Sequence, residues 1–269
     1  MALNRMVLSI RSRASDTIFP RGLTGDVLSV FTVHVVSFFI SLALASVTAR
    51  WLGPAGKGTL SLILLASSLL ALLLGGGVSV ANVYFAASRR LPVSQLTRLS
   101  VSWTLLASSG AFVLIAGATI WDEYVIPGVP RWGLWAALSL IPWIVLGNNF
   151  SGILQGLQRI PAVSRIRLVQ SGLTLLLTLL LVAGMHWSLY GALAAVLAGQ
   201  VIGVGLMSGM LRGDGGRFRP HWPGGDRDVT AFGLKGHVAN LLQFLNYRLD
   251  MFLVNYFLGP AAVGIYGVA

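Results

Sequence analysis

Two apolar stretches of the chain carry polar side chains at helical spacing, a pattern suited to binding a ligand through hydrogen bonds. The first stretch carries His34, Ser37, Ser41 and Thr48. At about 100° per residue, these four fall within about 60° of one another on one face of a helix. The second stretch carries Asn240, Gln243, Tyr247 and Asp250. These fall within about 80°, so the two stripes predict a shared polar cavity. In the alternative interpretation, the hydroxyls bond to their own helix or join neighbouring helices.

Other polar residues are candidates for the same cavity. A third apolar stretch carries Asn148, Ser151 and Gln155, again on one helical face, with Pro142 as a predicted kink. Asn82 and Gln200 either join the cavity or bridge helices. The spacing of Gly199 and Gly203, and of Gly205 and Gly209, favours close helix packing.

Composition shows which elements must position these side chains. Of the 269 residues, 55% are hydrophobic and only 10% are charged, whereas soluble domains carry about 25% charged residues. The chain is therefore an all-α membrane protein, with spans of about 20 residues. It contains no cysteine, and no two of its four histidines are spaced i, i+4. This excludes disulfides and thiolate chemistry and argues against a metal site or a metal cofactor.

Charge-free stretches predict seven spans. Spans 1 to 4 lie within 26–50, 57–89, 98–122 and 131–159; spans 5 and 6 form a hairpin within 167–212, and span 7 covers 238–258. The corresponding segments are an N-terminal segment 1–26, a six-helix lobe 27–211, an inter-lobe linker 212–237 and the start of a second lobe, 238–269.

Basic residues orient the predicted bundle. Segments 1–26, 87–98, 155–167 and 211–237 contain 4, 3, 3 and 5 of the 19 lysines and arginines. Since cytoplasmic loops are enriched in basic residues, these segments and the N-terminus are predicted to be cytoplasmic. Membrane insertion thus accounts for the net charge of +11 without nucleic acid as a partner.

A short motif occurs twice, as "LGPAGKG" (52–58) and "LGPAAVG" (258–264), 206 residues apart. Both copies follow an odd-numbered span, where Gly-Pro ends a helix readily. Six intervening spans return the second copy to the same orientation, which is typical of parallel repeats. Span 7 therefore begins a second, pseudo-equivalent lobe, and we expect the chain to be a truncated part of a protein with about twelve spans.

The segments "ARWLGPAGKGTLSL" and "YRLDMFLVNYFLGPAAVGIYGVA" resemble the polysaccharide flippases (Wzx-type) of the multidrug/oligosaccharidyl-lipid/polysaccharide (MOP) exporter superfamily. The resemblance implies two six-helix lobes around a central cavity. It also implies a lipid-linked sugar as the substrate, turned by alternating access across a bacterial inner membrane.

Arg248 and Asp250 are the only charged residues inside a predicted span. Intramembrane charges are costly and face a partner or a water-filled space. At about 160° apart they do not pair directly. We expect Asp250 to lie with the polar stripe and Arg248 to share its side with Asn255. Arg248 would bind the lipid pyrophosphate and Asp250 would couple transport to a proton or cation; the alternative is a structural clamp between helices.

Two other functional classes stay open. Within the same superfamily, the chain could be a drug/cation antiporter or a lipid II flippase. A membrane enzyme that polymerises or ligates glycans ranks lower, because the predicted outer loops are short and the sequence contains no nucleophile–base arrangement or phosphate-binding loop. We therefore expect no catalytic residues.

Overall fold

The computed structural model describes residues 23–121, 129–220 and 227–267, and within them the chain is built of helices. They are α1 (Leu23–Leu74), α2 (Val78–Ala87), α3 (Val93–Trp121), α4 (Arg131–Gly156), α5 (Ile160–Thr178), a π-helix (Leu179–Gly184), α6 (Ser188–Gly213), α7 (Arg227–Leu258) and α8 (Pro260–Tyr266). Residues 1–22 of the predicted N-terminal segment and 221–226 of the predicted linker lie outside the described residues.

Five of these helices are long and apolar enough to cross a membrane, so the prediction of an all-α, multi-pass membrane protein is confirmed. The first of them, α1, covers predicted span 1 and the first part of span 2, and the others correspond to spans 3 to 6. Helix α7 is not among the five, because Asn240, Arg248 and other polar residues interrupt its apolar sequence. It begins at Arg227, inside the predicted linker 212–237.

Several predicted helix boundaries differ from the structure. Spans 1 and 2 belong to one helix of 52 residues, broken at Gly53 (φ 69°, ψ 175°). Such a helix would measure about 78 Å if straight, more than twice a hydrocarbon core, so its two arms must change direction at Gly53. Predicted span 2 (57–89) is itself interrupted at 75–77, between α1 and α2. Helix α5 begins at Ile160, seven residues before Arg167, because Pro161 is suited to the first turn of a helix.

Side-chain contacts show which helix ends lie together. At one end, Trp51 beside the break in α1 lies 5.6 Å from the ring of His186 in the turn before α6. At the other end, Arg159 between α4 and α5 pairs with Asp214 after α6 at 2.7 Å. These contacts agree with the alternation of the predicted spans.

The two copies of the repeated motif lie against each other. Gly53 and Gly259 share one backbone conformation, the latter with φ 80° and ψ 177°. A Cβ atom added to Gly58 would fall on the carbonyl oxygen of Pro260, and one added to Gly264 would fall on that of Pro54. Each position thus contacts the other copy in the same way, and such reciprocity indicates a pseudo-twofold axis between them.

Two clusters of buried apolar residues hold the helices together. One joins the second arm of α1 to α3 and α4 and includes Met251 of α7 and Val263 of α8. The other joins α2, α3, α4 and α6 around Phe150. The first arm of α1 instead exposes large apolar residues such as Phe31 and Phe38, as expected of a helix facing lipid.

Candidate functional site

A cavity of about 850 Å³ lies between α7 and the helices before it, and we name it the central cavity. The second arm of α1 contributes Ser61, Ser68 and three leucines; the start of α2 contributes Ser79, and α4 contributes Asn148. Helix α7 contributes Asn240, Gln243, Phe244, Tyr247, Arg248 and Met251. Side chains that the sequence places in three separate predicted spans therefore line one space.

The wall formed by α7 is rich in hydrogen-bonding groups. Asn240, Gln243 and Tyr247 line the cavity as the stripe predicts, and none of them has a side-chain hydrogen bond to another described residue. Arg248 also lines it, with Nη1 3.6 Å from the sulfur of Met251. The central cavity therefore offers amide and hydroxyl groups and one guanidinium to a ligand.

Of the two charged residues inside predicted span 7, Arg248 lines the central cavity, whereas Asp250 does not lie there with the rest of the polar stripe. Asp250 does not line the central cavity: its Oδ2 accepts a hydrogen bond of 2.6 Å from the hydroxyl of Tyr266 in α8, and its Oδ1 accepts one of 2.8 Å from the Met251 amide. Arg248 takes the cavity position because the wall centres on Phe244 and Met251, which turns the Arg248 side of α7 inward.

The polar stripe of the first arm of α1 lies away from the central cavity. His34 and Ser41 are exposed and Ser37 is half-buried, and none of the three lines a described cavity. Thr48, at the end of the stripe, is buried: its Oγ1 donates to the Leu44 carbonyl and accepts a 3.0 Å hydrogen bond from Nζ of Lys57. The cavity role of His34, Ser37 and Ser41 thus stays a prediction.

The remaining candidates divide between core and cavity. Asn82 is fully buried, and its Nδ2 donates to Ser100 of α3 at 2.9 Å and to the Asn149 carbonyl of α4 at 3.1 Å, so it bridges helices. Asn148 lines the central cavity and three smaller spaces beside it. Gln155 lines one of these smaller spaces and donates to Ser151 at 2.8 Å.

Several lining residues were not identified from the sequence. His237 lines a small space of about 40 Å³ together with Asn148 and Asn240, and its Nδ1 is buried without a partner among the described residues. Arg167 lines two further spaces, although the charge pattern assigned it to a loop. The proline at 161, a helix-start signal, would have placed Arg167 inside α5.

Comparisons with known proteins agree with this architecture. The sequence profile of a family described as "Polysaccharide biosynthesis protein" matches residues 23–269. Among solved structures, the chain is similar to one described as the outward-facing conformation of a multidrug resistance MATE family transporter of the MOP superfamily. The TM-score is 0.65 and the identity 17%, over 90% of this chain and 58% of the other.

A second solved structure, described as "protein A", matches with a TM-score of 0.57 and 16% identity, over 89% of this chain and 59% of that one. The chain therefore spans somewhat more than half the length of each structure that it resembles. No curated relative matches it.

Proposed function

Because this chain belongs to the polysaccharide biosynthesis protein family and has the fold of a MATE transporter of the MOP superfamily, we propose that it functions in glycan export. The substrates would be lipid-linked oligosaccharide or polysaccharide intermediates, flipped across a bacterial inner membrane. The basic segments, and with them the N-terminus, would face the cytoplasm.

The observation that carries this proposal is the polar lining of the central cavity. Its volume of about 850 Å³ is within the range of about 300–1,000 Å³ usual for ligand sites. A sugar head group needs hydrogen-bonding partners to leave water, and Asn148, Asn240, Gln243 and Tyr247 supply them. The planar guanidinium of Arg248 matches phosphate oxygens, so it would bind the pyrophosphate that links sugar to lipid.

Alternating access would use the contact between the two repeated motifs. Gly58 and Gly264 meet through backbone atoms beside one end of the central cavity, where Gly267 and Ser61 form the lining. Two helix starts that meet as rigid bodies can separate without unfolding either helix. Its separation would open the cavity at this end, and its closure would leave only the other end accessible.

The charges that line the central cavity help to distinguish glycan export from the alternative functions. Among the described lining residues, Arg248 is the only charged one, and no carboxylate is present. A drug/cation antiporter would be expected to place a carboxylate against its cationic substrate, and a glycan polymerase or ligase would need an acid–base pair. A lipid II flippase would share the pyrophosphate chemistry and differs only in the sugar.

The test is substitution of Arg248 in the full-length protein, expressed in its native host from which the gene has been deleted. Arg248→Ala should abolish surface glycan and cause the lipid-linked intermediate to accumulate, at unchanged abundance in the membrane. The matched control is Arg131→Ala, since Arg131 is exposed at the start of α4, outside the cavity.

Three outcomes would contradict the proposal in different ways. Normal glycan export by the Arg248→Ala variant would remove Arg248 from the site. Loss of drug resistance with normal glycan would favour the antiporter. Loss of peptidoglycan precursor transport would favour the lipid II flippase.

A further inference from the structure

A second polar space lies between α4, α5 and α6, and we name it the side chamber. It measures about 350 Å³. Its polar lining consists of Asn148, Ser151, Arg167, Gln170, Ser171 and Gln200. All its lining residues belong to these three helices, so the chamber does not depend on α7 or on any segment beyond it.

The side chamber adjoins the central cavity. Asn148 lines both spaces. A shallower space of about 230 Å³ shares Arg167 and Ser151 with the chamber and shares Ser79 with the central cavity. A charged group that enters the central cavity can therefore reach the side chamber along a surface of polar side chains.

The chamber carries one uncompensated positive charge. Arg167 is its only charged lining residue, and no carboxylate lines the described part of either space that Arg167 faces. One amino nitrogen of Arg167 donates a 3.2 Å hydrogen bond to the hydroxyl oxygen of Ser151, which is its only side-chain partner among the described residues. Because a guanidinium has five N–H donors, most of them are left for a ligand.

The other polar groups of the chamber also supply donors. Ser151 Oγ accepts from both Arg167 and Gln155, so its own hydrogen is left to donate. Gln170 and Gln200 have no side-chain hydrogen bonds within the described residues. Gly203 keeps room for the Gln170 amide, since a Cβ atom there would lie 2.8 Å from its Oε1.

Arg167 is exposed, and its place along α5 distinguishes it from a charge in the loop before that helix. It lies seven residues after the start of α5 at Ile160, which is about 10 Å along the helix. An arginine at such a depth requires an anionic partner or water. With no carboxylate among the residues that line the chamber, an anionic partner of Arg167 has to come from outside them.

We propose that the side chamber is a binding site for a phosphate-ester oxyanion carried by a membrane lipid, with Arg167 as the charge partner. Planar bidentate donors suit phosphate, and the neutral amides complete its coordination without adding charge. The oxyanion belongs either to the pyrophosphate of a sugar-carrying lipid or to the head group of a phospholipid. In the first case the chamber is an additional subsite for the substrate of the proposed function; in the second it is a structural lipid site.

The experiment measures binding to the full-length protein in nanodiscs. With neutral phosphatidylcholine discs, affinity is measured for inorganic pyrophosphate and for a short polyprenyl diphosphate. In a second arm, native mass spectrometry compares retention of phosphatidylglycerol with that of phosphatidylcholine. Arg167→Gln should weaken binding at least about tenfold, as expected for loss of a charge-assisted contact.

The matched control is Arg165→Gln, because Arg165 lies on the same helix and is exposed, as Arg167 is, but lines no described cavity. Its binding should equal that of wild type. Gln170→Glu is the second variant, since a carboxylate beside Arg167 would neutralise the site while leaving the helices packed. It should also lose binding, at an unchanged or higher melting temperature.

The probe that loses affinity in both variants identifies the source of the oxyanion. Unchanged binding of every probe in Arg167→Gln, or an equal loss in Arg165→Gln, would overturn the proposal. The test is separable from that of glycan export: if export fails as a function, the phosphatidylglycerol arm still decides whether Arg167 binds an oxyanion.

Discussion

The two copies of the LGPA motif have the same backbone and different surroundings. Gly53 and Gly259 adopt nearly identical φ and ψ values, and Gly58 and Gly264 make reciprocal contacts. The helices that precede them differ. Before the second copy, α7 lines the central cavity through Asn240, Gln243 and Tyr247. Before the first copy, the residues 206 positions earlier, His34, Ser37 and Ser41, line no described cavity.

The charged residues show the same divergence. Arg248 of α7 corresponds to Leu42 of α1, whose side chain is 52% exposed on an apolar face. Lys57, half-buried and bonded to Thr48, corresponds to Val263, which is fully buried. The repeat therefore preserves the glycines and prolines that the turn requires, while the side chains before it differ: several of those on α7 line the central cavity, and many of those on the first arm of α1 are exposed.

The largest effect is expected where the two copies touch. Gly58→Leu and Gly264→Leu each place a side chain on backbone atoms of the other motif, which cannot rotate away. Overpacking costs about 1–3 kcal/mol where side chains can adjust, so against backbone we expect more than about 3 kcal/mol. The measurement is membrane abundance and melting temperature of the full-length protein.

Gly209→Leu is the control for these variants, because nothing lies within 4 Å of a Cβ atom at Gly209. This variant should leave the membrane abundance and the melting temperature unchanged. If only one of the two contact variants were destabilised, the reciprocal docking of the copies would be disproved.

A smaller effect is expected at the breaks themselves. A Cβ atom at Gly53 or Gly259 meets nothing within 4 Å, so Gly→Ala there changes only the backbone energy. Residues other than glycine avoid the region near φ 70° and ψ 175° at a cost of about 1–3 kcal/mol. In both alanine variants the free energy of unfolding, measured by reversible unfolding, should be lower by that amount. Gly172→Ala, at an equally open helical position, should instead be neutral or stabilising; equal results at all three sites would contradict the strained break.

The smallest effect concerns the side-chain contact that only the first copy has. Lys57→Met removes the 3.0 Å hydrogen bond to Thr48. Hydrogen bonds between membrane helices average about 0.6 kcal/mol, so we expect a loss of that order. A double-mutant cycle with Thr48→Val isolates the pair, and additive losses would show that the contact does not stabilise the first copy.

Much of the fold follows from composition and spacing. Spans 4 and 6 agree with α4 and α6 because charge is too costly in lipid to occur by accident inside an apolar helix. The same criterion predicted late starts for α3 and α5, since Arg98 lies within the first helix and Arg165 and Arg167 lie within the second. The absence of charge also led to the prediction of a single span for the second arm of α1 and α2, because the three consecutive glycines at 75–77 carry no charge that would mark the break.

Less of the candidate site was predictable. The stripe on α7 was identified by its period, and Gly199 and Gly203 pack against Thr174 and Gln170 of α5 as their spacing predicts. Gly205 and Gly209, with equal spacing, contact nothing within 4 Å of an added Cβ, because they lie on the other side of α6. Spacing shows that residues share a face, and it contains no information on what that face meets.

The sequence by itself determined that this is a multi-pass helical membrane protein, which of its helix ends lie together, and that its turn occurs twice. These properties depend on the free-energy cost of a charge in lipid and of proline or glycine in a helix, and on the spacing of polar residues along the chain. Only the tertiary structure decided that Arg248 and not Asp250 faces the central cavity, that the stripe of α1 lies outside it, and that Arg167 lines a chamber of its own. Each of these depends on the rotation of a helix against its neighbours, and packing between residues far apart in the chain sets that rotation.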